Sequence, residues 1–285
     1  MTEFLIDAHC HSLRSDGLLS LQQLAQLARL SGLSALAITD HDALPDPREL
    51  KSAGEPFAVE MHAGVELSVR LGDRSLHLLG YRFDPADQRL QSLCRELQEL
   101  RRRRFHRMAE ALRAGGVKLD AARVDRLASG ISPGRMHLAR ELVRCRAASH
   151  IRAAFARHLS TFDSADAAQD GTPLALADAL DALHDAGGVG MLAHPPARMT
   201  VGEWRRLAEI GLDGIESDFP GAAATHRRFL SDRVREYHWL ETKGSDYHGD
   251  NPQRHLGAKR LTESEWRTIL DKGIPYSLGN PHGNR

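Results

Sequence analysis

The chain has 285 residues, of which 41% are hydrophobic and 27% are charged, so it is large enough for one domain carrying an insertion. Its 38 lysines and arginines balance its 38 aspartates and glutamates, which excludes a global electrostatic field that would recruit nucleic acid or a membrane surface. The three scattered cysteines argue against a disulfide framework. We find neither an apolar run of membrane-spanning length nor a signal pattern, and we therefore expect a cytoplasmic protein.

Strand-like and helix-like segments alternate along most of the chain. Short apolar runs predict strands near residues 4–11, 35–39, 57–66, 76–81, 189–193, 212–216, 239–243 and 274–278. Capping boxes predict helix starts at Ser20, Thr200 and Thr262, and Thr172-Pro173 predicts another that runs to residue 186. Repeated strand–helix units predict a parallel sheet, and seven or eight of them predict an α/β barrel, closed or nearly closed.

Residues 101–171 have a different character. They contain helix formers and many arginines, and they interrupt the strand–helix rhythm. We interpret them as a helical insertion that caps a barrel built from residues 1–100 and 172–285. The run 101–104 is four consecutive arginines, which we interpret as a solvated helix face that has some capacity to attract RNA phosphates.

Metal-type donors stand at the end of nearly every predicted strand. His9 and His11 are two residues apart, so in an extended strand both side chains project from one face. The complete candidate set is His9, His11, Asp16, His41, Glu66, His77, His194, Asp246 and His248. Mixed imidazole and carboxylate donors without a thiolate cluster favour Mn²⁺, Fe²⁺ or Zn²⁺. The set is too large for one ion, so it predicts two or three ions, with Glu66 as the bridging carboxylate.

Four further acidic residues near the strand ends leave their roles open. Asp7 is a candidate metal ligand, or a carboxylate that orients a metal ligand by hydrogen bonding to it. Asp40, Asp42 and Glu216 are either ligands, partners of ligands or surface carboxylates.

These motifs resemble those of the PHP family, the polymerase and histidinol phosphatase group of metal-dependent phosphoesterases. The matching segments are 7–11, 39–42, 64–66, 77, 194–195 and 246–248. The resemblance implies a distorted seven-stranded β/α barrel that holds up to three metals. It places one ion on His9, His11, Glu66 and Asp246, a second on Glu66, His77 and His194, and a third on Asp16, His41 and His248.

The chain is most similar to the subgroup with a helical insertion after the fourth strand, whose members resemble nucleoside 3′,5′-bisphosphate phosphatases and 5′→3′ exoribonucleases. This implies removal of the 3′-phosphate from such bisphosphates, with 5′-phosphorylated short RNA as a further substrate. A hydroxide held between two cations about 3.5–4 Å apart would attack phosphorus. Glu66, His194 and His248 are the candidate catalytic residues. The general acid stays open, because an imidazole that binds a metal cannot also donate the proton.

The segment 130–137 predicts a second phosphate site in the insertion. It is a glycine-flanked loop that opens a helix at about Pro133, where free backbone N–H groups favour anions. Arg135 offers bidentate phosphate contact, and Ser132 and His137 are further candidate substrate contacts. The alternative is that Arg135 belongs to a solvated face.

Three other functions stay open from the sequence. They are a sugar or histidinol-type phosphomonoesterase, a metal-binding but inactive scaffold, and an amide or lactone hydrolase. The expected partner is a small nucleotide or the 5′ end of a short RNA, without membrane or stable DNA binding. Aromatic residues make up 5% of the chain, which argues against recognition of bases by stacking.

Overall fold

The computed structural model describes residues 3–162 and 174–272. Eight strands in this part of the chain form one sheet in the order β7-β6-β5-β4-β3-β2-β1-β8. The strands are β1 (Leu5–Cys10), β2 (Ala35–Ile38), β3 (Glu60–Leu71), β4 (Arg74–Tyr81), β5 (Val189–Leu192), β6 (Gly214–Asp218), β7 (Leu240–Lys243) and β8 (Leu261–Thr262).

The sheet closes because the chain after β7 pairs with the end of β1. The backbone N–H of Asp246 donates to the carbonyl oxygen of His9 at 2.8 Å, and that of His11 donates to Tyr247 at 3.0 Å. Gly244 permits the approach, since a Cβ at this position would lie 2.2 Å from the Cβ of His9. The predicted α/β barrel is therefore confirmed, and the end of β1 lies at the point of closure.

The expectation of a wholly parallel sheet is wrong at two strands. β4 runs antiparallel to both β3 and β5, and β8 runs antiparallel to β1. Only Gly72 and Asp73 link β3 to β4, and two residues can connect antiparallel strands but not cross over to a parallel one. The predicted strand at 274–278 lies outside the described residues, and β8 was not predicted.

Helices cover the outside of the barrel and form the segment between β4 and β5. The three predicted capping boxes are present at Ser20, Thr200 and Thr262. The helices are α1 (Leu21–Leu30), α2 (Pro47–Gly54), α3 (Gln88–Ala114), α4 (Ala121–Ala128), α5 (Arg135–Arg144), α6 (Ile151–Ala154), α7 (Leu176–Asp185), α8 (Val201–Glu209), α9 (Ala224–Tyr237) and α10 (Glu263–Asp271). In the part of the chain that the structure describes, none is both long and apolar enough to cross a bilayer.

One long helix joins the barrel to the segment that follows β4. The first half of α3 buries Leu90 and Leu97 in the apolar cluster that β3, β4 and α7 share. Its second half buries Phe105 and Met108 in a separate cluster with α4, α5 and α6. Helix α3 therefore crosses the predicted boundary at residue 101. The predicted helix start at residues 172–173 lies outside the described residues.

Candidate metal centre

The nine predicted donors come together at one mouth of the barrel. His9 lies on β1, Glu66 on β3 and His77 on β4, while the others lie in the segments that follow β1, β2, β5 and β7. His9, His11 and Glu66 are fully buried, and the remaining side chains border the cavity above them. Residues far apart in sequence meet here because consecutive strand ends lie side by side around a barrel.

Glu66 is the centre of this cluster, and its two oxygens face different histidines. Oε1 lies 2.8 Å from Nδ1 of His77 and 3.0 Å from Nε2 of His194. Oε2 lies 3.3 Å from Nε2 of His9 and 3.1 Å from both Nε2 of His11 and Nδ1 of His41. A carboxylate that presents one oxygen to each of two donor groups has the geometry of a bridge between two ions.

The donors form overlapping groups of three or four, each of a size that suits one ion. His9, His11, Glu66 and Asp246 form one group, in which Oδ1 of Asp246 lies 3.5 and 3.4 Å from the two imidazoles. Two donors about 2.1 Å from a shared ion in tetrahedral arrangement are about 3.4 Å apart, so these separations fit a bound cation.

A second group surrounds Asp16 on the other side of His11. Oδ1 of Asp16 lies 3.2 Å from Nε2 of His248, and Oδ2 lies 3.9 Å from Nε2 of His41. Burial opposes ionisation of Asp16, but His248 and His41 outweigh it and hold the pKa of the carboxyl well below its usual range. Asp16 is therefore favoured as an anion facing His248 and His41.

Within the described part of the chain, three buried polar atoms of the cluster have no hydrogen-bond partner. They are Oδ1 of Asp16, Nδ1 of His41 and Oε2 of Glu66. A buried polar atom without a partner costs about 1–3 kcal/mol, so such atoms are rare unless an ion or water satisfies them. All three face the other donors, and the residues present therefore fit divalent cations.

The pKa shifts of three histidines and of Glu66 also suit metal binding. Burial lowers the pKa of His11, His41 and His77, which favours neutral imidazoles. Burial opposes ionisation of Glu66, yet the surrounding histidines hold its pKa well below the usual range. Neutral imidazole and ionised carboxylate are the forms that bind a metal.

His9 differs from the other histidines because a carboxylate faces each of its ring nitrogens. Nδ1 lies 3.1 Å from Oε1 of Glu216, and Nε2 lies 3.3 Å from Glu66. Burial disfavours the protonated ring, but Glu216 and Glu66 outweigh burial and raise the pKa of His9 to about 10. Positive charge is therefore favoured beside Glu66, where a bound cation would lie.

Glu216 holds two of the donors in position. Besides facing His9, it accepts the backbone N–H of His194 through Oε2 at 2.7 Å. Its side chain is fully buried on β6. A carboxylate on the second nitrogen of a metal-binding histidine fixes the ring and its tautomer, so Glu216 is an orienting residue rather than a surface carboxylate.

Two of the other open acidic residues, Asp7 and Asp40, form backbone and hydroxyl contacts instead of facing the cluster. Asp7 accepts backbone N–H groups from His9, Ser245 and Gly257. Asp40 accepts from the hydroxyls of Ser12 and Ser15 at 2.5 and 2.6 Å. These carboxylates brace the loops that carry the donors.

Two donors occupy the left-handed region of backbone conformation. The φ angle is 29° at His194 and 49° at Asp246. Non-glycine residues in this region cost about 1–3 kcal/mol and persist where the surrounding structure determines them. Both residues directly follow strands, and the strained backbone turns their side chains toward Glu66 and His9.

A cavity of about 980 Å³ opens over the donor cluster. Helix α3 and the start of α5 also line this cavity, with Arg101, Arg104 and Arg135. The interpretation of residues 101–104 as a solvated face is therefore wrong for Arg101 and Arg104. Arg254, which was not predicted from the sequence, also lines the cavity and pairs with Oδ2 of Asp246.

The predicted phosphate loop is divided between two cavities. Helix α5 begins at Arg135 with Gly134 as its cap, two residues later than predicted. Arg135 borders the large cavity, whereas Ser132 and His137 border a second cavity of about 320 Å³. His137 accepts the backbone N–H of Gly134 at 3.1 Å, so it caps α5. Substrate contact by Ser132 and His137 stays a prediction.

Barrel mouth, donor chemistry and cationic wall together define a metal-dependent hydrolase site suited to an anionic substrate. The PHP domain family profile matches residues 7–128. A 5′-3′ exoribonuclease of Haemophilus influenzae is 30% identical over 247 residues, which cover 85% of this chain and 89% of the relative. A 3′,5′-nucleoside bisphosphate phosphatase of Chromobacterium violaceum is 32% identical over 192 residues, covering 67% of this chain and 66% of the relative.

Two solved structures have a fold similar to that of this chain. A protein of Bifidobacterium adolescentis, described as a metal-dependent phosphoesterase, has a TM-score of 0.84 and 27% identity, covering 95% of this chain and 97% of its own. An amidohydrolase of Chromobacterium violaceum with bound sulfate has a TM-score of 0.80 and 26% identity, covering 94% and 96%. The chain belongs to the PHP family and is a metal-dependent phosphoesterase of that family.

Proposed function

We propose that this phosphoesterase removes the 3′-phosphate from nucleoside 3′,5′-bisphosphates, with Mn²⁺ as its metal. The observation that carries the proposal is that the donor cluster and Arg135 line the same cavity. A substrate with two phosphates can place one at the metal donors and the other at the insertion. The phosphatase of Chromobacterium violaceum supports this choice of substrate.

The nine donors would hold three ions, in the groups that the resemblance to the PHP family implies. His9, His11, Glu66 and Asp246 would hold one ion, Glu66, His77 and His194 a second, and Asp16, His41 and His248 a third. When bound, such ions supply an activated water and neutralise phosphoryl charge. The role of the chain is to hold the carboxylates ionised and the reacting phosphate in a buried, preorganised site.

His248 is better suited to hold a metal than to donate a proton. Its Nδ1 lies 2.9 Å from the backbone carbonyl oxygen of Asp246, a contact that requires a proton on Nδ1. Nε2 is the nitrogen left to bind a metal, and it lies 3.2 Å from Oδ1 of Asp16. His194 keeps Nε2 beside Glu66, so neither histidine is assigned as the general acid.

Arg135 provides the charge for the second phosphate. Burial, together with the neighbouring Arg104 and Arg101, lowers its pKa to about 10, so it stays protonated near neutral pH. Crowded guanidinium groups repel one another, and an anion between them relieves this repulsion. Its guanidinium also lies 5.9 Å from the ring centroid of Phe155, a cation–π contact that limits where it can lie.

A second candidate is 5′→3′ exonucleolytic cleavage of short RNA that carries a 5′-phosphate. The cavity volume of about 980 Å³ is at the upper end of the range of ~300–1,000 Å³ that small-molecule sites occupy, which leaves room for more than one nucleotide. The exoribonuclease of Haemophilus influenzae, which this chain covers over 89% of its length, favours the same candidate.

The test is a phosphate-release screen with Mn²⁺ across nucleoside 3′-, 5′- and 3′,5′-phosphates, with short 5′-phosphorylated RNAs assayed in parallel. We expect the bisphosphates to be hydrolysed at the 3′ position with kcat/KM at least tenfold above the 3′-monophosphates. The Glu66→Gln variant is the control for contaminating phosphatases. Equal rates on mono- and bisphosphates would contradict the proposal, and activity confined to RNA would favour the second candidate.

Three further expectations belong to the same proposal. We propose Mn²⁺ over Fe²⁺ and Zn²⁺, which elemental analysis of protein purified without added metal would test.

We keep the division into a barrel of residues 1–100 and 172–285 and a cap of residues 101–171. The cytoplasm stays the proposed location, in keeping with Cys10, Cys94 and Cys145, which are all free thiols.

A further inference from the structure

Two barrel residues fix the guanidinium of Arg101. Its Nε donates to the carboxylate of Asp42, and Nη2 donates to Oγ of Ser68 at 2.7 Å. Ser68 in turn donates its backbone N–H and its hydroxyl to the same carboxylate, at 2.7 and 2.9 Å. The Asp42 side chain is fully buried, so this network holds the arginine in one orientation.

The anchor of Arg101 adjoins two of the metal donors. Asp42 directly follows His41, and Ser68 lies two residues beyond Glu66 on β3. The backbone N–H of Asp42 donates to the carbonyl oxygen of Glu66 at 3.0 Å. Burial opposes the charge on Arg101, but Asp42, with Asp16 and Glu66 adding to its effect, outweighs burial and raises the pKa of the guanidinium. Arg101 is therefore held beside the donor cluster.

The remaining edge of the guanidinium lies against the start of α5, at the wall of the cavity. Among residues 3–162 and 174–272, Nη1 has no hydrogen-bond partner. A Cβ added at Gly134 would lie 3.1 Å from Nη1, so the start of α5 is bare where the arginine approaches it. Arg101 and Gly134 both line the large cavity. Of the five N–H groups of a guanidinium, the barrel uses two and leaves three for another ligand.

We propose that Arg101 binds the phosphoryl group held at the metal cluster, and that Asp42 is the positioning residue that aims it. A guanidinium fixed before the substrate arrives can make charge-assisted contacts without reorganising, which is how developing charge is stabilised most effectively. The buried Asp42 also compensates the charge of the arginine in the absence of substrate. The inference requires a phosphate ester only, so it does not depend on the second phosphate assigned to Arg135.

The test compares binding of inorganic phosphate, by calorimetry on metal-free and Mn²⁺-loaded protein, in Arg101→Gln, Arg101→Lys, Asp42→Asn and Asp42→Asn/Arg101→Gln. Arg102→Gln is the matched control, because Arg102 neighbours Arg101 on α3 but pairs with Glu99 and does not line the cavity. We expect Arg101→Gln to weaken phosphate binding about 10- to 100-fold, the usual effect of losing a charged hydrogen bond. Arg102→Gln should stay within twofold of the parent.

Two measurements distinguish orientation of Arg101 by Asp42 from a merely structural role of Asp42. Asp42→Asn should lose most of what Arg101→Gln loses, and the double variant should be no weaker than Arg101→Gln, because Asp42 acts through the arginine. Added guanidinium ion should restore phosphate binding to Arg101→Ala, and Arg101→Lys should fall between parent and Arg101→Gln since a lysine keeps charge but not the fork. Metal content should be unchanged in all variants.

Four results would overturn the inference. They are phosphate binding unchanged in Arg101→Gln, phosphate binding absent from the parent protein, metal content that falls in step with binding, and a loss confined to bisphosphate hydrolysis. The last would move Arg101 to the second phosphate. Failure of the parent to hydrolyse bisphosphates would refute the proposed function and leave this binding assay intact, so the two failures are distinguishable.

Discussion

The barrel mouth and the helical segment between β4 and β5 face the same cavity with opposite chemistry. The mouth presents carboxylates and imidazoles carried by six strands or by the segments that follow them, and backbone pairing joins these strands into the barrel. The helical segment presents guanidinium groups from α3 and α5. The difference teaches that one region is built to hold cations and the other to hold anions, so changes in each should affect different properties of the enzyme.

The largest effect should follow from changing the bridge in the barrel mouth. Glu66→Gln removes the charge that two donor groups share. We expect turnover to fall by well over the ~10- to 100-fold that follows loss of a residue orienting a ligand, with two metals lost together. Elemental analysis alongside steady-state kinetics checks this. Unchanged metal content and rate would show that Glu66 is not the bridge.

A smaller effect is expected from the residue that orients the donors. Glu216→Gln keeps the shape of the side chain but weakens its hold on His9 and His194. Metal affinity should fall by about 10- to 100-fold, and excess Mn²⁺ should restore turnover. Titration of metal-free protein measures the affinity. A loss of turnover that excess metal does not restore would place Glu216 in the reaction itself.

The helical segment should affect substrate choice rather than metal content. Arg135→Ala removes a charged contact worth about 1.5–3 kcal/mol, so kcat/KM for bisphosphates should fall by about 10- to 100-fold. A simple phosphate ester should lose less than threefold. Arg126→Ala is the control, because Arg126 is exposed on α4 and lies outside the large cavity. Equal losses on both substrates would remove the role of Arg135 in holding a second phosphate.

The smallest effect is on stability and concerns Glu141 on α5. Arg144 and Arg123 donate to its buried carboxylate. The hydrogen bond from Arg144 lowers its pKa against the effect of burial. Because the folded pKa is below the unfolded value, the stabilisation is complete above the unfolded pKa of about 4.3 and is lost as pH falls through the folded pKa.

Glu141→Gln should therefore lower the Tm by about 2–4 °C at pH 7, the shift expected from ~1 kcal/mol. The difference in Tm between the parent and Glu141→Gln should narrow as the pH falls below about 4. Thermal unfolding monitored by circular dichroism measures both. A Tm difference that persists in acid would show that the glutamine destabilises the protein through packing. The metal content of the barrel should not change in either case.

The sequence predicted the mouth of the barrel better than the helical segment. His9 and His11 share a strand face, and donors after parallel strands must meet at one edge, so the cluster follows from periodicity alone. The direction of β4 was missed although the two-residue link at Gly72 and Asp73 signals a hairpin. Helix α2 was also missed, although Asp46 and Pro47 are a typical helix start.

The cationic wall could not be predicted because its residues are selected by tertiary contacts. Four successive arginines point in different directions around a helix, and only the position of α3 on the barrel decides that Arg101 and Arg104 face the cavity. Arg254 lies in a loop, and no periodicity marks its contact with Asp246. Local pattern likewise placed Ser132 and His137 beside Arg135, whereas α5 turns them toward another cavity.

Helix α3 spans 27 residues without glycine or proline, about 40 Å from end to end. Since both hydrophobic cores are anchored on this single rod, hinging one against the other would require bending it at considerable cost. We therefore expect the gap between metal donors and guanidinium wall to be set once, during folding. Such an enzyme would select substrates by their length. It would bind molecules that already span the gap and would not close around them.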